Sequence, residues 1–538
     1  MTPHEIVEKL LKLRGIKDFE KYFNPDPKYL EKSDSLLSFE KTKIIADKLT
    51  KANNIIIYSD YDVDGVTSSA IFSQFLYEMG VKNFDVVIPN RFKDGYGLNL
   101  TKLKNLYTED PFDMIITFDC GINSVEEVRF LKEKGVFVVI TDHHLPLTLP
   151  DADIIINPKM SSTEEKGDYN LCGCGVAFKL IHLLKMTLGL KELDLRKYLD
   201  RVALATVADI VPLIGDNRIL VKHGLDQINR SPSVGIKALK NIAKINGEIT
   251  SYHLGFVLGP MINASGRLDI ADTSYHLLIQ EDDTLAVSYA KTLENLNLDR
   301  QKECDLIFEE ATSMLKSESL DGICLYQKHW NKGVIGIVAS RLVERYNAPT
   351  ILFGTGVDKE DDNGVISGSG RSVDGIPLFD ILVRINESMP ELLLRFGGHT
   401  KACGLSIYEE NFENFYNIFL EILSEFEKVE NTVRYDFPLN FSDINFELIN
   451  YIKKMEPFGY GNESPRFLFK DVNIIDYRSL GNGKHFSLNL IQGKYKINGI
   501  WFNVIEDKIR NKVDIIGTPD INEYNGNKYI QLKIMDII

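Results

Sequence analysis

The sequence predicts an α/β protein of several domains: a parallel-sheet domain first, then a long connecting helix, a second unit and a C-terminal β-barrel. Three observations lead there. From about residue 50, near-continuous Val/Ile/Phe runs alternate with helical stretches, the pattern of a parallel sheet covered on both faces. Residues 282–316 are long, charged and almost free of Gly and Pro, which marks an extended helix with a solvated face. Beyond Tyr435, short β-prone runs are separated by Gly/Asn turns, as in a small barrel.

At 538 residues the chain is too long for a single core. Its 44% hydrophobic and 26% charged residues are ordinary for a globular protein. No apolar run has the length of a membrane span, and MTPHEIVEKLLKLRGI lacks the layout of a signal peptide. Cys120, Cys172, Cys174, Cys304, Cys324 and Cys403 are scattered, and the Cys172-Gly-Cys174 pair has no second pair to complete a zinc site. Reduced thiols in a cytoplasmic protein are the expectation. A net charge of −15 argues against nucleic-acid binding through the whole surface and leaves room for a local basic groove.

After an N-terminal helical segment (1–45), strands are expected at 55–59, 84–88, 114–118, 136–140 and 153–156, with helices near 66–79, 123–134 and 175–188. Ligands of such sheets collect beyond the carboxyl ends of the strands. The first strand is followed by Asp60, Asp62 and Asp64 in DYDVDG, the third by Asp119-Cys-Gly121, and the fourth by Thr141-Asp142-His143-His144. Asp209 lies in the helix-like stretch ALATVADIVPL. The triplet imitates the opening of an EF-hand loop. Its twelfth position is Ile71 and a strand precedes it, so a calcium loop is excluded. Carboxylates converging from several strand ends repel one another unless cations lie between them. Asp and His without Cys suit manganese or magnesium better than structural zinc. Five or six such ligands exceed the needs of one ion and point to a two-metal site that clamps a phosphate and activates water.

Residues 216–320 read as mainly helical and end in the connecting helix. In the second unit, Gly333-Val-Ile-Gly336 opens a helix whose first N–H groups can receive phosphate oxygens. SGSGRS, with Ser369 and Arg371, offers mobile backbone donors beside an arginine; Phe396-Gly-Gly-His399 offers a histidine released from packing. Plain turns account for either equally well. In the last hundred residues the runs FLFKDVNIID, FSLNLI, YKINGIWF and DIIGTPDI form the barrel. Residues 451–510 hold ten Lys/Arg against six Asp/Glu, interleaved with Phe467, Phe486, Tyr495 and Trp501. Basic groups and rings together are what a single-strand binder uses, although barrel core accounts better for most of these rings.

The ordered set DYDVDG, DCG, TDHH and ATVADIVPL resembles the DHH phosphoesterase family. GPMINASGRL, GVIGIVASRL, SGSGRS, FGGHTKACG and EPFGYGNESPRF are similar to its single-strand-specific exonuclease branch, and the likeness covers nearly the whole chain. It implies a DHH catalytic domain at 46–215, a helical region and connecting helix at 216–320, a second α/β (DHHA1) domain at 321–430 and an OB-type barrel at 431–538. The implied activity is metal-dependent 5′-to-3′ degradation of single-stranded DNA to mononucleotides in repair and recombination, with two Mn²⁺ or Mg²⁺ ions. By the same resemblance, Asp62, Asp64, Asp119, His143 and Asp209 hold the metals, with Asp119 bridging. Asp60 and Asp142 are a further ligand or supporting carboxylates, and His144 sits toward the scissile phosphate. Arg91 and Arg267 meet substrate phosphates, Asn263 also binds substrate, Ser369 and Arg371 recognise the 5′ end, and His399 faces the catalytic cleft. Single-strand-binding protein and a RecQ-type helicase are the implied partners. Asn331 departs from the pattern, standing where the family usually has His. Two alternatives are a phosphodiesterase for short oligonucleotides or cyclic dinucleotides, and an inactive replication scaffold. Against the latter, every ligand position is filled.

Overall fold

The structure is a computed structural model that describes the whole chain except residues 92, 268–270, 316–319, 356–363, 428–432, 482–484, 503–508 and 525. Two compact units are formed. Met1–Val87, Leu100–Gly259 and Thr432–Ile538 make the first; Ile88–Asn99 and Pro260–Asn431 make the second.

The first unit is built on a five-stranded parallel sheet of β1 (Ile55–Ser59), β2 (Phe84–Val87), β3 (Met114–Phe118), β4 (Phe137–Thr141) and β5 (Ile154–Ile156). The order is β2-β1-β3-β4-β5. Every residue of β1 and β3 is buried, which is why both read as unbroken apolar runs. The chain leaves β1 for β2 on one side and returns to β3 on the other. The ends of β1 and β3 therefore flank the topological switch point, where a crevice opens between diverging connections.

Two helices on this sheet, Val63–Glu78 and Gly173–Leu188, are buried along most of their length and show no clear amphipathic stripe. Both begin slightly earlier than their apolar patterns predict, because polar caps extend them. The Asp62 carboxylate accepts from the N–H groups of Asp64 and Gly65, and the Cys172 side chain accepts from Gly175. A helix at Leu100–Glu109 has no counterpart in the sequence reading; Leu103 is its one fully buried residue, too little pattern to announce it.

The C-terminal strands Phe467–Leu480, His485–Gln492 and Tyr495–Phe502 pair in series. The last of these pairs in parallel with Asn527–Ile537, which pairs with Lys512–Tyr524, which returns to Phe467–Leu480 and closes the barrel. Phe467, Phe486 and Trp501 are core, whereas Tyr495 is exposed. The amphipathic helix Pro3–Leu13 adds Ile6, Val7, Leu10 and Leu11 to the same core. Arg14 secures it by two bonds to the Asp436 carboxylate, at 3.1 and 3.0 Å.

In the second unit, Ile323–Asn331 pairs in parallel with Thr350–Thr355; Val365–Arg371, Ala402–Tyr408 and Arg395–His399 follow antiparallel. The expected connecting helix is Asp283–Met314, 32 residues long. SGSGRS corrects its reading as a mobile donor loop, because it lies in the regular strand Val365–Arg371. Its glycines serve close packing. A Cβ on Gly368 would stand 2.6 Å from the Phe353 ring, and one on Gly370 would stand 2.5 Å from Cys403 Sγ.

Candidate metal centre

The carboxyl ends of β1, β3 and β4 and the end of the helix Leu199–Ala208 bring five acidic groups and two imidazoles together. Asp60, Asp62 and Asp119 form one group with ligand atoms within 4.8 Å of one another; Asp64, His143 and Asp209 form a second, and Asp119, His143 and His144 a third. His143 Nε2 lies 3.0 Å from Asp119 Oδ1, 3.6 Å from Asp209 Oδ2 and 3.8 Å from Asp64 Oδ2.

Local backbone sets each position. Gly65 lets the helix start fold back on Asp60, whose carbonyl oxygen would be 2.5 Å from a Cβ there. Asp119 adopts left-handed backbone, φ 61°, which turns its side chain abruptly off the end of β3. Asp142 is a supporting group. Its Oδ1 accepts from the N–H of His143 at 2.7 Å and of His144 at 3.0 Å and meets His144 Nδ1 at 2.8 Å, while Oδ2 accepts from Ile122 N–H. Asn157 Nδ2 donates to the His144 carbonyl at 2.9 Å.

Sequence reasoning missed the role of Cys172-Gly-Cys174. The N–H groups of Gly173 and Cys174, opening the helix Gly173–Leu188, both donate to Asp64, at 2.5 and 2.8 Å. A helix N-terminus favours negative charge, so it braces this carboxylate in the interior. The partner is 109 residues upstream, beyond any local pattern. The one readable signal was a glycine at a helix start.

The electrostatics favour a bound cation, or protons in its place. Burial, then the charge of Asp62, pushes the Asp64 carboxyl up to about 7. Asp119 rises well above the carboxylate range through burial and then Asp64, Asp62, Asp209 and Asp60. Asp209 rises for the same two reasons. Burial and the adjacent His144 hold His143 down, at about 3, so its imidazole is neutral, the form that ligates metal. For His144, burial is outweighed by the hydrogen bond and charge of Asp142, and its pKa rises. His143 Nε2 and Asp209 Oδ2 are buried with no hydrogen-bond partner among the described residues. An oxygen-rich set with the neutral imidazole of His143 and no thiolate fits Mn²⁺ or Mg²⁺.

The expected substrate residues all lie in the second unit, Arg91 with them. Burial, then Arg91, Arg300 and Arg371, lowers Arg267 to about 10, so four guanidinium groups share one neighbourhood. Arg267 donates to the Gly333 carbonyl at 3.0 Å, and Arg371 to Ser369 Oγ at 3.2 Å and the Gly370 carbonyl at 2.7 Å. Ser369 and Arg371 adjoin the start of the helix Ile335–Tyr346; a Cβ on Gly336 would be 2.7 Å from Ser369 Oγ. Asn331 acquires a role here, its Oδ1 accepting from Gly333 N–H at 2.8 Å and so holding the turn. Asn263 is half-buried, one helical turn before Arg267. His399 ends an exposed strand opposite Ala402, apart from any described cluster.

A parallel sheet with an Asp/His cluster at its switch point, joined in one chain to a mixed-sheet domain, defines a DHH phosphoesterase. Residues 54–206 match the DHH family, N-terminal domain, residues 320–425 the DHHA1 domain, and residues 435–536 the RecJ OB domain. The chain belongs to the RecJ family. It is 35% identical to the single-stranded-DNA-specific exonuclease RecJ of Haemophilus influenzae, over 99% of this chain and 96% of that protein. Its fold is similar to RecJ of Thermus thermophilus crystallised with Mn²⁺, with a TM-score of 0.84 and 27% identity over 98% of this chain and 75% of that one. The Mg²⁺ complex of the same protein gives a TM-score of 0.77 and 26% identity, covering 98% and 74%.

Proposed function

We propose that this chain is a metal-dependent exonuclease that degrades single-stranded DNA in the 5′-to-3′ direction to mononucleotides, in DNA repair and recombination. The observation that carries this reading is the convergence of Asp60, Asp62, Asp64, Asp119, His143 and Asp209 within ligand distance at the sheet switch point. Two Mn²⁺ or Mg²⁺ ions bound there supply Lewis-acid polarisation of the phosphate and activation of water. Asp62, Asp64, Asp119, His143 and Asp209 would hold them and Asp60 would add an oxygen; Asp119 shares one ligand group with Asp60 and Asp62 and another with His143 and His144. His144, fixed through Nδ1 by Asp142, holds a proton more readily than an ordinary histidine and presents it to the leaving oxygen.

Binding falls to other parts of the chain. Arg91, Asn263 and Arg267 receive backbone phosphates, Ser369 and Arg371 the 5′ terminus, and His399 a further substrate group. The barrel takes the strand further along, with Tyr477, Tyr495 and Phe502 exposed on it. The barrel also disfavours a cyclic-dinucleotide phosphodiesterase, whose substrate needs no extended tract. A helicase would supply the strand and single-strand-binding protein would cover it, so both fit as partners. A cytoplasmic setting suits six free, buried cysteines. Among the described residues, no helix is long and apolar enough to cross a membrane.

The test uses 5′-phosphorylated single strands labelled at either end, and matched duplexes, with Mn²⁺ or with chelator. Mononucleotide release from the 5′ end of single strands, abolished by chelator, is expected. Equal cleavage of duplex, or digestion from the 3′ end, refutes the proposal.

A further inference from the structure

Ile210, Tyr252, Phe256 and Tyr460 are exposed apolar groups on segments beside Asp209 and before the barrel, and the activity described above gives them no role. Ile210, directly after Asp209, is 71% exposed and holds left-handed backbone, φ 58°, a costly conformation for a β-branched residue. Its loop is tied to the segment leading into the barrel: Leu213 N–H donates to the Tyr460 carbonyl at 2.7 Å. Ser251 Oγ donates to the Phe458 carbonyl at 2.6 Å, attaching a third segment to the same layer. There the chain widens into a π-turn, Leu254–Leu258, a form concentrated at functional sites.

This turn packs closely against the end of the Asp209 helix. A Cβ on Gly255 would be 3.3 Å from Val207 Cγ1, and one on Gly259 would be 3.2 Å from Ala208 Cβ. Leu254 and Leu258 are buried, while Tyr252 and Phe256 are 62% and 73% exposed. Their rings stack, with centroids 5.1 Å apart and planes 26° from parallel. Tyr460 is exposed in the adjoining loop.

We propose that Tyr252, Phe256 and Tyr460 form a base-stacking track that carries a single strand between the barrel and Asp209, an inference that rests on the nuclease reading. Rings offered by their faces suit nucleobases of any sequence. Continuity favours a strand over an apolar protein partner, because the segment that carries Tyr252 and Phe256 packs on the helix ending at Asp209 and is bonded to the segment leading into the barrel.

The test is fluorescence anisotropy of a dye-labelled oligodeoxythymidylate with the full chain and chelator, so that hydrolysis plays no part. Y252L/F256L keeps the surface apolar but removes the rings, and its Kd should rise about tenfold, as expected for lost stacking. Y252W/F256W should bind as wild type does. On a strand of abasic sites the leucine variant and wild type should bind alike. Leucine-variant binding within about twofold of wild type on the base-bearing strand, or an equal loss on the abasic strand, overturns the track. Hydrolysis by wild type with Mn²⁺ is read separately: ring-dependent binding without hydrolysis upholds the track and rejects the nuclease reading.

Discussion

Gly173 and Asp119 approach so closely that a Cβ on the glycine would stand 2.8 Å from the Cβ of the aspartate. The same added atom would lie 3.0 Å from Asp119 Oδ1 and 3.0 Å from Asp64 Oδ2. The start of the helix Gly173–Leu188 is thus one wall of the metal centre, and its lack of a side chain lets two carboxylates keep their spacing.

Gly173→Ala should displace those carboxylates while the surrounding core persists. Overpacking of this kind costs about 1–3 kcal/mol, which an intact domain tolerates. Calorimetric titration should show Mn²⁺ binding at least about tenfold weaker, one decade for each ~1.4 kcal/mol of misplaced ligand geometry. Wild-type affinity in this variant would remove Gly173 from the site.

Asp119→Asn separates charge from shape. Asparagine tolerates the left-handed backbone at φ 61°, so the strand end should hold. Hydrolysis should fall about a thousandfold or more, the loss expected from the proposed role of Asp119 as a ligand shared by two ions. The metal-free variant should melt above metal-free wild type, because one of several mutually repelling acids is gone. Residual hydrolysis within about tenfold of wild type would reject the bridging assignment.

What the sequence disclosed follows the range of the interactions concerned. β1 and β3 were legible because burial on both faces leaves unbroken apolar runs, and the acids after them because strand ends in such sheets carry function. The brace on Asp64 was illegible, since it comes from backbone N–H groups that every residue but proline possesses. The glycines of SGSGRS misled because permissiveness and close packing look alike in a sequence; only Phe353 and Cys403 distinguish them. Tyr252 and Phe256 were not singled out, because in a stretch read only as mainly helical nothing separates them from Leu254 and Leu258, which take the buried side.

The acid cluster also sets a pH dependence. Asp64 is raised from 3.8 to about 7 in the folded, metal-free chain, so the folded state binds protons that the unfolded state has released. The stability this group contributes is complete below about 3.8 and is lost as pH rises through about 7. Metal-free protein should therefore melt at progressively lower temperature between pH 5 and pH 8, by scanning calorimetry. Saturating Mn²⁺ should reverse the slope, because the ion displaces the same protons. Parallel slopes with and without metal would disconnect the cluster from the ion.

Arg371 tests the 5′-end assignment. Its guanidinium is held by Ser369 Oγ and the Gly370 carbonyl beside the first turn of the helix Ile335–Tyr346, where N–H groups and a fixed cation can receive one phosphate together. Wild type should prefer a 5′-phosphorylated strand over its 5′-hydroxyl counterpart. In Arg371→Ala that ratio of kcat/KM should shrink about tenfold or more, chiefly through KM on the phosphorylated strand, the loss expected for one charge-assisted contact. Arg371→Lys should recover part of it, since lysine supplies the charge without the planar fork. A preference that survives in the alanine variant would move recognition of the terminus to Arg91 and Arg267, the neighbouring guanidinium groups.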